Sequence, residues 1–97
     1  MKITYAGRAL RDLEGIAELL ESRSPVGARN VLKAVKASVD ALEHFPHIGQ
    51  LVDDAGHRRL PVGNYRYMIY YRIAGDELLI LHIRHTSRRP IEPATDL

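Results

Sequence analysis

Seven arginines and no lysine follow position 56, and they recur on short strand-like runs: Arg58-Arg59, Tyr65-Arg66-Tyr67, Tyr71-Arg72-Ile73 and Ile83-Arg84-His85, then Arg88-Arg89. A guanidinium makes planar, two-point contacts with phosphate or carboxylate, which a lysine ammonium does not. His85 is the one nearby side chain suited to proton transfer near neutrality. Tyr70, two residues from Arg72 and four from Arg66, adds a ring on which a base could stack. Arg58, Arg59, Arg66, Tyr70, Arg84, His85, Arg88 and Arg89 are therefore the candidate target-binding residues. A rigid sheet carrying them beside a basic tail suits contact with RNA, DNA or a large acidic machine. The competing reading is a solvated sheet face with no partner.

The whole-chain charge is only +2 over 97 residues. Its distribution carries more. Residues 1–56 hold seven Lys/Arg and eight Asp/Glu, for −1, and residues 57–97 hold seven Arg and four Asp/Glu, for +3. The length fits one domain with a modest core. No cysteine is present, so disulfide and thiolate chemistry are excluded, and a reducing cytoplasm is the expected location. The start, Met1-Lys2-Ile3-Thr4-Tyr5, lacks a signal-peptide core, and no segment nears the roughly 18 apolar residues of a membrane span.

The elements that must position these residues are legible from periodicity. Lys2-Ile3-Thr4-Tyr5 alternates as a first strand. Leu10, Leu13, Ile16, Ala17 and Leu20 recur at helical spacing from Arg8 to about Ser22, with Arg11, Asp12, Glu14, Glu18 and Glu21 on the wet side. Gly15 lies inside that helix and is expected to allow close packing on a second one. Ser24-Pro25 is a start signal for the second helix. It is expected to run to about Glu43, with Ala28, Val31, Leu32, Val35, Val39 and Leu42 as its apolar stripe. The short link makes an antiparallel helical hairpin.

After a polar loop that includes Asp53 and Asp54, Arg58-Arg59-Leu60-Pro61-Val62 reads as a strand, at an edge or bulge because Pro61 cannot donate. The last two strands flank Ala74-Gly75-Asp76, a hairpin turn. Strict alternation puts Tyr65, Tyr67, Ile69, Tyr71 and Ile73 on one face and Arg66, Met68, Tyr70 and Arg72 on the other. Leu79, Leu81 and Ile83 alternate with Leu78, Ile80 and His82, apolar on both faces through Leu81, so this last strand is expected at the centre of the sheet. The expected fold is α+β: an N-terminal strand and an αα-hairpin packed on one face of a small antiparallel β-sheet, in the order β-α-α-β-β-β. Residues 1–90 form the expected domain and 91–97 a flexible tail.

These landmarks, in this order, resemble the RelE/ParE toxin superfamily of type II toxin–antitoxin systems over about residues 3–90. They are Ala9-Leu10-Arg11-Asp12-Leu13, Ser24-Pro25 with Ala28-Arg29, Leu42-Glu43-His44-Phe45-Pro46-His47-Ile48-Gly49, Arg59-Leu60-Pro61-Val62, Tyr65 to Arg72, and Leu81-His82-Ile83-Arg84-His85. The phrase around Phe45-Pro46 and the Ile83-Arg84-His85 ending are closest to the ParE branch. The resemblance implies a cytoplasmic toxin with a cognate antitoxin, ParD-like or similar, which docks where helices meet sheet. Leu13, Ala17, Leu20, Val35 and Val39 are the antitoxin-binding candidates. Operator DNA would be reached only through the antitoxin, and no membrane and no cofactor are implied.

Two activities occur in the superfamily. ParE-like members poison DNA gyrase and block replication. RelE-like members cut mRNA on the ribosome, which needs a base for the 2′-OH, a cation for the phosphorane and an acid for the leaving oxygen. If this chain were RelE-type, Arg59, Arg66, Arg84 and His85 would be the catalytic set. The nuclease branch's terminal Tyr is missing, since no Tyr follows Tyr71, and Leu60 or Pro61 stands where that branch often carries a second base. Gyrase inhibition is the favoured expectation, with ribosome-dependent cleavage the alternative and no catalytic residue required.

The remaining residues that invite chemistry read more simply. His44 and His47 are separated by the helix-ending Pro46, and His82 and His85 fall at odd strand spacing, so no metal site is expected. Tyr65, Tyr67 and Tyr71 are expected beneath the helices. Asp53 and Asp54 read as a solvated loop.

Overall fold

Ser24 starts the second helix as its side chain dictates: its Oγ accepts the Gly27 N–H at 3.1 Å, with Pro25 at the first helical position. The computed structural model describes residues 1–97, with strand β1 (Lys2–Tyr5), helices α1 (Gly7–Glu21) and α2 (Pro25–His44), strands β2 (Gln50–Leu51), β3 (Arg58–Pro61), β4 (Tyr67–Ala74) and β5 (Glu77–His85), and a one-turn helix α3 (Pro93–Asp96). Both long helices lay their apolar stripes on one face of a five-stranded sheet ordered β1-β5-β4-β3-β2. The core between the layers joins Ile16, Val31, Val35, Val39 and Leu42 to Ile69, Tyr71, Leu78, Ile80 and Ile83. Each such side chain contributes about 1.5–3 kcal/mol by leaving water.

The α+β class and helical hairpin are as expected; β5 is an interior strand between β1 and β4, and β4 holds the centre of the sheet. Three details differ. β1 pairs with β5 in parallel, so the sheet is mixed: the chain must cross over through two helices before its last strand returns beside the first, and a crossover permits parallel pairing. β2 is an additional two-residue strand that pairs antiparallel with β3 at Arg58 and Arg59. It stops short of Pro61, which therefore lies on an edge where its missing N–H costs nothing. The turn after β4 contains two residues rather than three, because Ala74 and Glu77 are paired; Gly75 takes φ +64, which suits a residue without Cβ.

Strict alternation also fails on the last strand. Tyr70 pairs with His82 but Tyr71 pairs with Ile80, leaving Leu81 as an extra residue. Such a bulge reverses the facing of everything beyond it. Leu78 and Ile80 therefore share the helix face with Ile83, not with His82, and His85 joins them, edge-on to the Tyr67 ring at 5.1 Å. His82 and Arg84 belong to the outer side with Tyr70 and Met68. Tyr65, expected under the helices, lies in the turn ahead of β4 and is exposed, whereas Tyr67 and Tyr71 are core.

The loop that follows α2 is fastened from below. The Tyr71 hydroxyl donates to the Pro46 carbonyl at 2.8 Å and accepts the Gly49 N–H at 2.9 Å. Burial raises the Tyr71 pKa, and the Gly49 N–H and Arg58 offset part of that rise. Arg58 donates to the His47 and Gly49 carbonyls at 3.1 and 2.8 Å. Asp53 also has a defined role: its Oδ1 accepts the N–H groups of Ala55 and His57, and its Oδ2 meets His57 Nδ1 at 2.6 Å. Burial alone would raise the Asp53 carboxyl, but these hydrogen bonds outweigh it and hold the group below its ordinary value.

Candidate functional site

β1 ends at Tyr5, opposite Ile80, so β5 runs on from Leu81 to His85 without a neighbour on that side. Asp12 of α1 fills part of the gap: its Oδ2 accepts the Ile83 N–H at 3.1 Å, replacing the strand partner that β1 no longer supplies. Between this open edge and α1 lies a groove of about 630 Å³. One stripe of α1 forms one wall, with Arg8, Arg11, Ile16 and Leu19, continued by Arg23 of the turn after it; the other wall carries Tyr67, Ile83, Arg84, His85 and Arg88. Five arginines thus surround an apolar floor, with Asp12 as the acid among them. Gly15 lines the groove, and a Cβ built there would have no atom within 4 Å. It does not pack against α2, as its position in the sequence had suggested; it widens the groove. Gly15→Ala is therefore expected to raise stability by about 0.5–1 kcal/mol, the helix-propensity difference, measured as a higher urea midpoint.

The outer face of the sheet holds the second cluster. Arg59, Met68, Tyr70, Arg84, His85, Arg88 and Arg89 line a cleft of about 180 Å³. Arg84 and His85 sit at the end of β5 and Arg88 just past it, so these three border both hollows. The Nε of Arg84 is buried and has no hydrogen-bond partner. Arg59 spans the strand edge to Gln50, giving two N–H bonds to its Oε1 at 3.1 and 3.0 Å. His85 Nδ1 accepts from the Ser87 backbone N–H at 3.0 Å and meets the Ser87 hydroxyl at 2.6 Å. A backbone N–H can only donate, so a neutral His85 carries its proton on Nε2.

Six of the eight sequence candidates for target contact are thereby brought together: Arg59, Tyr70, Arg84, His85, Arg88 and Arg89. Arg58 is not among them, because it faces the helix side and holds the 46–49 loop. Arg66 lies exposed in the turn before β4, outside both hollows, joined to the basic end only through its carbonyl, which accepts the Thr86 N–H. Of the expected antitoxin contacts, Val35 and Val39 are core residues, 3% and 6% exposed, and have almost no surface to offer. Leu13 and Leu20 pack against the same core, half-buried. The exposed apolar residues of α1 are Leu10 and Leu19, each 48% accessible, and Leu19 lines the groove.

The profile of the family described as "ParE toxin of type II toxin-antitoxin system, parDE" matches residues 3–90. The chain belongs to the ParE toxin family. The Caulobacter vibrioides protein "Toxin RelE2" is 32% identical over 87 residues, covering 90% of this chain and 97% of its own. The Sinorhizobium fredii protein Y4kP is 32% identical over 88 residues, 91% of each. Among solved structures, a chain of "Chromosomal ParDE TA system from P. aeruginosa" superposes with a TM-score of 0.66 at 23% identity, over 88% of this chain and 95% of that one. At that identity the match speaks for the fold.

Two site residues of this ParE-family toxin were not legible in its sequence. Asp12 reads as one more acid on a wet helix face, and only the ending of β1 shows why it turns inward. Asp96, in the tail, lies against Arg89 of the outer cluster: its carboxylate receives Arg89 Nη1 and Nη2 at 2.8 and 3.1 Å. No helix is long and apolar enough to cross a membrane.

Proposed function

We propose that this ParE-family toxin arrests growth by binding its target, DNA gyrase, rather than by cutting RNA, and that a cognate ParD-type antitoxin neutralises it. The observation that carries the reading is the lack of a free acid–base pair among the outer arginines. His85 Nδ1 is taken by Ser87, so the neutral ring presents an N–H donor rather than a base. Arg66, which would complete a cleaving set, lines neither hollow, although its carbonyl accepts the Thr86 N–H beside His85. What remains is a surface of guanidinium groups and one buried tyrosine ring, suited to holding anions in place.

The antitoxin reading rests on the groove beside α1. Its arginine-rimmed apolar floor, with Leu19 exposed, fits an amphipathic segment that brings acidic residues to the rim and an apolar side chain to the floor. The deciding experiment sets gyrase supercoiling and DNA-cleavage assays beside a ribosome-programmed mRNA cleavage assay, with the purified chain. Blocked supercoiling or accumulated cleaved DNA with intact mRNA is the expected result. Cut mRNA with unaffected gyrase would reverse it and make Arg59, Arg66, Arg84 and His85 the catalytic suspects.

A further inference from the structure

Tyr70 and His82 sit side by side on the sheet face that no long helix covers, yet they are only 8% and 7% exposed. The C-terminal segment supplies the cover. His82 Nε2 donates to the Asp96 carbonyl at 2.9 Å. Tyr70 shares a cleft with Pro90, Ile91 and Pro93. The Asp96 side chain, 16% exposed, takes the two-point contact from Arg89 and also accepts the Glu92 N–H at 2.8 Å. Arg89, the Glu92 N–H and the nearby charge of Arg84 all hold its carboxyl well below the ordinary carboxylate range, although partial burial opposes them. The outer arginine cluster thus already contains an anion, and that anion belongs to the chain itself.

We propose that residues 90–97 are an autoinhibitory strap: the Asp96 carboxylate occupies the guanidinium fork of Arg89, and lifting the strap uncovers a surface that binds the phosphodiester backbone of single-stranded nucleic acid. Four observations converge. The carboxylate meets the guanidinium fork in the two-point geometry that a phosphate also accepts. Arg84 lines the same cleft as Arg89, and its buried Nε has no partner, so this cleft holds a donor that the strap does not use. Arg59 and Arg88 extend the positive surface along the same cleft. The Tyr70 ring lies beneath the strap, where a base could stack once the strap moves. An acidic peptide would use the arginines but gain nothing from that ring, which is why nucleic acid is favoured. The proposal is independent of whether gyrase or the ribosome is the cellular target.

The test compares the full chain, Asp96→Asn and a chain ending at Arg89. Asparagine keeps an acceptor for the Glu92 N–H and removes the charge, so loss of the small helix does not confound the result. Binding of a labelled 12-nucleotide single strand is measured by anisotropy across a salt series, with an acidic peptide of equal charge in parallel and circular-dichroism melts of each protein as folding checks. Asp96→Asn and the shortened chain are expected to bind the oligonucleotide about tenfold tighter than the full chain. The slope of log affinity against log salt should steepen by about 0.7, one further phosphate contact on a single strand. Adding Arg89→Ala to Asp96→Asn should abolish the gain. Independently, oligonucleotide added to the full chain should shift the His82 ring signals in NMR as its bond to the Asp96 carbonyl breaks. Equal binding by all three proteins together with unmoved His82 signals would overturn the strap, and a gain confined to the acidic peptide would overturn the nucleic-acid assignment.

Discussion

Gly49→Ala is expected to destabilise the fold by about 2–6 kcal/mol, a large share of what a domain of this size has in hand. A Cβ at this position would lie 2.5 Å from the Tyr71 hydroxyl, 2.6 Å from its Cε1 and 2.8 Å from the Arg59 carbonyl oxygen. None of these can yield cheaply. Tyr71 is wholly buried under the helices, and the carbonyl is fixed in β3. Overpacking of this kind costs about 1–3 kcal/mol. Displacing the tyrosine also breaks its bonds to the Gly49 N–H and the Pro46 carbonyl, and a buried polar group left unpaired costs about 1–3 kcal/mol more. Tyr71→Phe separates the two effects, since it removes the hydroxyl without adding volume, and should cost only the second amount. Urea denaturation of both variants checks this. An alanine variant that unfolds at the parent's midpoint would show that the loop after α2 is free to move off the sheet.

This corner also shows what sequence can and cannot reveal. The Phe45-Pro46-His47-Ile48-Gly49 phrase marks the helix end because proline and glycine act locally, and Ser24-Pro25 marks the next helix's start for the same reason. Helical stripes survive translation into structure because each follows a period of its own. The partner of Gly49, by contrast, lies 22 residues away, and no local pattern names it. The bulge at Leu81 is equally silent: Leu79, Leu81 and Ile83 alternate perfectly on paper, and only the pairing of Tyr70 with His82 and Tyr71 with Ile80 reveals the slip. That slip decides the site, because it turns Ile83 and His85 toward α1 and Arg84 to the outer face. The arginine cluster was legible by composition. Its division into an outer cleft and a groove beside α1 was not, because the division depends on where β1 stops. Val35 and Val39, expected at a docking surface, lie instead in the core for a related reason: an apolar stripe cannot by itself tell residues that meet the sheet from those left for a partner.

Removing residues 86–97 is expected to abolish growth arrest while leaving the antitoxin bound. The cut deletes Arg88 and Arg89 and with them two of the four guanidinium groups that line the outer cleft. A hydrogen bond to a charged group is worth about 1.5–3 kcal/mol, so two lost contacts weaken target binding at least about a hundredfold. The core is untouched, because β5 ends at His85 and every residue of the buried cluster precedes it. The groove beside α1 keeps Arg8, Arg11, Ile16, Leu19, Arg23 and Arg84, and loses only Ser87 and Arg88. Antitoxin binding, read by calorimetry, is therefore both the folding control and the second half of the expectation. A cut after Arg89 acts in the opposite sense, since it spares both arginines and removes the strap, with the Asp96 carboxylate that engages one of them. Growth arrest should then be as strong as in the full chain or stronger. The two truncations differ by four residues, Thr86-Ser87-Arg88-Arg89, so opposite outcomes would place the toxic contact within them. Arrest by the chain ending at His85, at the full chain's expression level, would show that the outer arginines past β5 are dispensable and move the search to Arg59 and Arg84.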